Sequence, residues 1–274
     1  MRLTPAVILL TFLFLVSATG YAQTDSIVLK DIVWDGQSPA GMTELFIPSN
    51  GALLPGFIYK ANGPQKHPTL LLLHGFPGNE RNLDLAQVVR AHGWNVIYFD
   101  YRGSWGSQGK FSFLHCVEDV VNVVAFCKKY QDSLRVDTAN IVLFGHSMGG
   151  WVCLKSLQRL PGVKKGFALS TWDIYNEHKD LDKGPAYFVL NTPGSQLLAD
   201  VNANLNSIRL DRDGAALAGK QVVMLDEHSG NKSLAETLRS ANKAWFDYSV
   251  WPTDHPFTNR RVALMKKVLE FLDR

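Results

Sequence analysis

The sequence predicts an α/β fold in three layers, a mostly parallel sheet with helices on both faces. Three observations predict it. Apolar runs that end in glycine or polar residues alternate with stretches of helical periodicity, beginning with "TLLLLHG" (69–75). One such run, "ANIVLFG", delivers a serine in the spacing Gly145-x-Ser147-x-Gly149, and the helix-compatible "MGGWVCLKSLQRL" leaves it. Finally, "WPTDHPF" places His255 between a last strand-like run and an amphipathic stretch at 259–272.

Each element follows from its own residues. Residues 1–22 read as an export signal: Arg2, an apolar run, then Gly20 and Ala22 at −3 and −1 of a cleavage before Gln23. The run from Pro5 to Val16 has 12 residues, against the ~20 that span a bilayer as a helix. Residues 23–43 carry no periodic signal and read as a leader onto a single domain at 44–274. "ELFIPSNGALLPGFIYKA" predicts two strands around the turn Ser49-Asn50-Gly51. A helix over 80–92 ends at Gly93, and "WNVIYFDYRG" (94–103) is the next strand. The stretch 113–130 has a helical stripe through Val117, Val120, Val121, Val124 and Cys127. "VKKGFALS" (163–170), "KQVVML" (220–225) and "AWFDYSVW" (244–251) complete the strands. At about 172–219 the rhythm fails amid prolines and the aromatics Trp172, Tyr175, Tyr187 and Phe188. A structureless loop of that length is improbable inside a domain, so the stretch reads as an inserted helical cap.

Composition narrows the function. Charge is nearly balanced, 28 basic against 25 acidic residues, and no basic run exceeds two residues. That argues against a nucleic-acid or anionic-membrane surface. Of the three cysteines, Cys116 and Cys127 lie about 16 Å apart along one expected helix, too far to bridge. All three read as buried free thiols.

The chemistry centres on Ser147. Glycines at 145 and 149 suit so tight a turn, where a side chain would meet neighbouring backbone. The expected chain order is serine, acid, histidine, which leaves His178, His228 and His255 of the eight histidines as candidate bases. His178 reads as solvated, while His255 follows the last strand, where a sheet end would aim it at Ser147. The acid belongs at the carboxyl end of a strand. Asp226 is the first choice, with Glu227 beside it and Asp173 as alternatives, while Asp254 reads as shaping its turn. Backbone N–H groups of Phe76, in "LLLLHGFPGN", and Met148 are the candidate oxyanion hole. The glycine-rich "FDYRGSWGSQGKF" (99–111) lacks the Gly-Lys-Ser/Thr of a phosphate loop, and Asp100 with Arg102 reads as a structural ion pair. No histidine–cysteine–carboxylate cluster has zinc-ligand spacing.

On "HGFPGN", "YFDYRGSWGSQG", "GHSMGG" and "TDHPF" together, the chain resembles the α/β-hydrolases of the serine esterase, thioesterase and aminopeptidase-like group over roughly residues 44–273. The resemblance implies an eight-stranded sheet, Ser147 as nucleophile, His255 as base, and a cap between the sixth and seventh strands. The sequence departs from the usual pattern at the acid: Ser229 stands where an aspartate is usual. The expected function is an exported, periplasmic or secreted, serine hydrolase of an ester, thioester or amide. It would use no cofactor, act on a small-molecule acyl substrate, bind no nucleic acid, and not insert stably in a membrane after signal removal. The alternative is a catalytically silent binding protein on the same fold.

Overall fold

A computed structural model describes residue 28 and residues 31–184, 187–212, 214–242 and 244–274. The expected signal at 1–22 lies outside the described residues. Among those described, no helix is long and apolar enough to cross a membrane.

The chain opens with a hairpin, β1 (Gly41–Ser49) and β2 (Ala52–Lys60), so the sheet begins inside the stretch read as a leader. Asn50 and Gly51 have φ of 46° and 81°, the two positive values that match a two-residue turn to the twist of its strands. Strand and helix then alternate: β3 (His67–Leu73), α1 (Leu83–Ala91), β4 (Asn95–Phe99), α2 (Phe113–Lys129), β5 (Val136–His146), α3 (Met148–Arg159) and β6 (Lys165–Leu169). Between β6 and β7 (Gln221–Asp226) the described residues form the helices α4 (Ile174–Glu177), α5 (Gly194–Ala203) and α6 (Leu205–Ile208), with 3-10 turns at His178–Asp180 and Gly214–Leu217. The chain closes with α7 (Lys232–Ala241), β8 (Trp245–Val250) and α8 (Arg261–Leu272). Helix α7 has no counterpart in the sequence reading. Its buried stripe is only Leu234, Ala235 and Leu238.

The eight strands are ordered β1-β2-β4-β3-β5-β6-β7-β8, with β1 and β2 antiparallel and all pairs from β4 to β8 parallel. Successive strand residues face opposite ways, and both faces are apolar because both are covered. Leu71, Leu73, Ile97, Leu143, Val222 and Met224 join α2, α3 and α7 in one core. Leu70, Leu72, Val96, Val142, Phe144, Val223 and Leu225 join α1 and α8 in the other. Cys116, Cys127 and Cys153 are free and buried.

Two expectations about single residues change. Arg102 does not pair with Asp100: its Nε donates to the fully buried Asp119 at 2.6 Å and its Nη2 to Glu118 at 2.6 Å, both on α2. His178 is buried rather than solvated, with Nδ1 2.8 Å from the Tyr175 carbonyl and Nε2 3.2 Å from Asn202 Oδ1.

Candidate active site

The parallel strands end together, which gathers their exit loops along one edge of the sheet. Leu73 is level with Gly145, His146 with Leu169, Leu169 with Leu225, and Asp226 with Val250. Clefts for chemistry form at this carboxyl edge in open α/β sheets.

Ser147 sits between β5 and α3 at φ 60°, ψ −119°, a conformation that costs ~1–3 kcal/mol for a residue with a Cβ. Its surroundings hold it there. The Ser147 N–H donates to Leu169 O at 2.8 Å, and Ser147 O accepts from Gly150 N–H at 2.9 Å and Trp172 N–H at 3.1 Å. The glycines make the turn possible. A Cβ at Gly145 would overlap the Gly149 carbonyl, one at Gly149 the Leu73 carbonyl, and one at Gly150 would come within 2.8 Å of Thr171 Oγ1.

His255 lies on the loop from β8 to α8. Its Nδ1–H donates to Glu227 Oε1 at 2.7 Å, and Glu227 Oε2 accepts from Ser170 Oγ at 2.6 Å. Burial alone would raise the Glu227 carboxyl, but the hydrogen bonds from His255 and Ser170 outweigh it and hold the group down to about 2. The same hydrogen bond, against some burial, raises His255 above its ordinary value of 6.5. The Asp254 carboxylate instead accepts the Thr258 N–H at 2.6 Å and shapes the turn.

The expectation that Asp226 faces His255 therefore fails, and the alternative beside it takes the place. The reason is strand alternation. Asp226 continues the Val222–Met224 side, toward α3 and α7, where Oδ1 accepts the Thr171 N–H at 3.2 Å and burial raises the carboxyl to about 6. Glu227 continues the Val223–Leu225 side, the face covered by α8, from which the His255 loop descends. Asp173, the third choice, accepts from Asn176 Nδ2 at 2.6 Å on α4. His228 is peripheral, its Nε2 3.9 Å from Glu227 Oε1.

Sequence reasoning missed two further residues. His146 donates from Nε2 to the His255 carbonyl at 3.0 Å, and the two rings lie 4.7 Å apart. Burial, reinforced by the His255 charge, lowers His146 to about 4, so its imidazole is neutral at pH 7. The available signal was a polar residue continuing the buried alternation Val142–Phe144–His146. Ser170, at φ 45°, was visible only as the end of a strand.

The two candidate oxyanion donors flank Ser147. Met148 is the first residue of α3, and the first amides of a helix have no intrahelical acceptor. Gly75 packs on Ser147: a Cβ there would lie 3.1 Å from Ser147 Cβ. The Gly75 carbonyl accepts from His74 Nδ1 at 2.8 Å. In a trans peptide C=O and N–H point opposite ways, so the Phe76 N–H is turned away from the His74 ring. Burial lowers His74 to about 4.

Ser147 opens into a cavity of about 340 Å³ walled by Phe76, Trp172, Tyr187 and Leu181, with Glu177 and Asp180 at its margin. Phe76 is the hub of an aromatic cluster, with ring centroids 4.7 Å from Tyr187 and 5.6 Å from Trp172. Among the described residues, no group of three or more His, Cys, Asp or Glu is placed to hold a metal ion.

Known proteins share this fold. A sequence model described as the alpha/beta hydrolase family matches residues 70–268, which include Phe76, Ser147, Glu227 and His255. A Rickettsia prowazekii protein, RP471, is 29% identical over 135 residues, 47% of this chain and 55% of that protein. The lysophosphatidylserine lipase ABHD12 of Danio rerio is 29% identical over 105 residues, 37% of this chain and 26% of the lipase. The chain thus spans about half the length of the first relative and about a quarter of the second. Among solved structures, Est1E from Butyrivibrio proteoclasticus superposes with a TM-score of 0.65 at 17% identity, covering 84% of this chain and 97% of Est1E. The Pyrococcus furiosus esterase Pf2001 does so with a TM-score of 0.64 at 18% identity, covering 89% and 98%. By the match over residues 70–268 and the eight-stranded sheet that carries it, the chain belongs to the alpha/beta hydrolase family.

Proposed function

We propose that the protein is an exported serine hydrolase that cleaves a carboxylic ester, thioester or amide through an acyl-enzyme on Ser147. The observation that carries the reading is the 2.7 Å hydrogen bond from His255 to Glu227 at the sheet edge where Ser147 is held in its strained turn. With Nδ1–H committed to Glu227, Nε2 is the ring atom left to accept a proton.

In this mechanism the Ser147 oxygen attacks the acyl carbon while its proton passes to His255 Nε2. The N–H groups of Phe76 and Met148 stabilise the oxyanion, and Glu227 stabilises the imidazolium. His255 returns the proton to the departing alcohol, thiol or amine as the bond to the acyl carbon breaks. Water then attacks the acyl-enzyme, with His255 again taking the proton, and the carboxylic acid leaves with Ser147 restored.

The aromatic walls favour an apolar or aromatic acyl group, since flat rings bury much area and stack at offset geometries. Est1E, of the same fold, has been seen with ferulic acid bound. The test is labelling with a fluorophosphonate, followed by peptide mapping and a panel of p-nitrophenyl esters, thioesters and aminoacyl amides. Labelling confined to Ser147 is expected; an unlabelled, inert protein would favour the silent binding reading. Export is part of the proposal, and secreted material should begin at Gln23 by mass spectrometry rather than at Met1.

A further inference from the structure

The glycine-rich segment around Trp105 offers no chemistry of its own, yet it touches both sides of the Ser147 cavity. Trp105 Nε1–H donates to the Pro77 carbonyl at 2.7 Å, just past Phe76. Its backbone N–H donates to Val189 O at 2.8 Å, two residues beyond Tyr187. Ser104 forms an antiparallel bridge with Leu190, Asn191 N–H donates to Gly103 O at 2.9 Å, and Thr192 Oγ1 donates to Phe111 O at 3.0 Å. One loop therefore ties the turn that carries Phe76 to the segment that carries Tyr187.

We propose that Trp105 is a positioning residue that fixes the orientation of the Phe76 N–H, and that its loop locks the Phe76 turn to residues 187–192, the segment that carries the cavity wall Tyr187. The proposal rests on the serine hydrolase reading. Phe76 is bracketed by two side-chain donors, His74 Nδ1 on the Gly75 carbonyl and Trp105 Nε1 on the Pro77 carbonyl. His74 pins the Gly75–Phe76 plane that carries the Phe76 N–H, and Trp105 pins the Pro77–Gly78 plane one step further on. The turn is thus anchored at two points, and the Phe76 amide cannot swing with it without breaking a hydrogen bond.

The indole is itself held. A Cβ on Gly78 would come within 2.7 Å of Trp105 Nε1 and 2.6 Å of His74 Nδ1, so the turn packs directly on both donors. The Arg81 guanidinium lies 4.9 Å from the indole centroid, a cation–π contact that fixes the ring plane. Trp105 has φ 48° and Gly103 φ 69°. A Cβ on Gly103 would overlap the Phe111 amide and the Asn191 side chain. The loop thus accepts backbone strain to keep the indole over Pro77.

A donor that must reorient as charge develops loses part of its value, because preorganisation is what makes such donors effective. The effect belongs in kcat rather than KM, since the oxyanion exists only in the transition state and intermediates. Trp105→Phe keeps a ring against Arg81 and Gly78 but removes the N–H. Replacing Trp105 with benzothienylalanine by nonsense suppression removes the N–H with almost no change of shape, and serves if the phenylalanine variant folds poorly.

The measurement is kcat, KM and the ratio of oxoester to thionoester turnover for wild type and both variants, on a p-nitrophenyl ester that the wild type hydrolyses. A well-aligned donor pair favours the smaller, harder oxygen. The expected result is a fall in kcat of about tenfold or more, short of the ~10²–10³ that follows loss of a donor. KM should stay near wild type and the oxo-to-thiono ratio should shrink. Unchanged kcat and ratio in the benzothienylalanine protein would overturn the proposal, as would a rise in KM alone, which would make Trp105 a substrate contact. A wild type that neither hydrolyses any ester nor takes a fluorophosphonate would instead sink the hydrolase reading.

Discussion

The turn at Ser147 and the pair formed by Glu227 and His255 lie on the same sheet edge but are held by different means. The turn is fixed by backbone: main-chain hydrogen bonds to Ser147 from Gly150, Trp151 and Trp172 and from Ser147 to Leu169, and glycines whose replacement would drive a Cβ into a neighbouring carbonyl. The pair is fixed by side chains reaching from separate loops, Ser170 to Glu227, Glu227 to His255, and His146 to the His255 backbone. Its base is also open to solvent, with the His255 side chain 51% exposed, while Glu227 is only 12% exposed. A rigid seat for the attacking atom and an adjustable base differ in what breaks them. Damage to the turn should cost the fold and activity together at every pH, whereas damage to the pair should cost activity first, with a loss of stability that depends on pH.

The largest effect should come from the reacting groups themselves. Ser147→Ala and His255→Ala should each abolish ester turnover while circular dichroism stays unchanged. Normal hydrolysis by either folded variant would remove that residue from the mechanism. Gly149→Ala, by contrast, should lower Tm and activity together, because its Cβ meets backbone rather than a movable side chain.

Next comes Glu227→Gln. The analogous change in a related triad lowers turnover by ~10⁴ by favouring the wrong imidazole tautomer. The pH profile gives the sign. His255 must be neutral to accept a proton, and the Glu227 carboxylate raises it, so the wild-type acid limb of kcat/KM should lie above pH 6.5. In Glu227→Gln it should move down. For stability, the lowered Glu227 contributes above its ordinary value of 4.5 and loses that contribution as pH falls toward about 2. The raised His255 contributes below 6.5 and loses it as pH rises through its folded value. The variant's deficit in Tm should therefore peak between those two ordinary values. A deficit that is flat from pH 3 to 9 would mean the pair adds nothing to folding.

His146→Phe keeps an aromatic ring under His255 but removes the donor to its carbonyl. A loss in kcat on the order of tenfold is expected, since small misplacements of a base can cost up to ~10²-fold. Unaltered kcat would reduce His146 to a packing residue. The smallest effect belongs to Asp226→Asn, which should leave turnover near wild type. Burial holds that carboxyl up to about 6, above its ordinary value of 3.8, so ionising it destabilises the fold as pH rises between those values. The variant should gain in relative stability above pH 6, and a collapse of its kcat would return Asp226 to the centre of the site.

What was legible in the sequence divides along the same line. The parallel strands, the helices that cover them apart from α7, and the strained turn follow from local patterns, because apolar runs and Gly-x-Ser-x-Gly act on neighbouring residues. The acid did not follow. "VVML" (222–225) is apolar at every position because both faces of β7 are buried there, so nothing in it says which face Asp226 or Glu227 takes. Arg102 was mispaired for a related reason: its partners sit on α2, reached only when the loop folds back. His178 looked solvated among charged neighbours, but its ring caps the carbonyls of its own turn. Helix α7 was hidden because only three buried residues mark its apolar face.

The central claim is that acyl transfer passes through Ser147, and trapping the intermediate tests it most directly. The protein would be mixed with excess p-nitrophenyl ester bearing an aromatic acyl group, quenched in acid within milliseconds, digested and analysed by mass spectrometry. The account predicts a burst of p-nitrophenol approaching one equivalent per protein and a matching acyl mass on the peptide that contains Ser147, absent from Ser147→Ala. Steady hydrolysis with the acyl group on another residue, or an undiminished burst in Ser147→Ala, would contradict it.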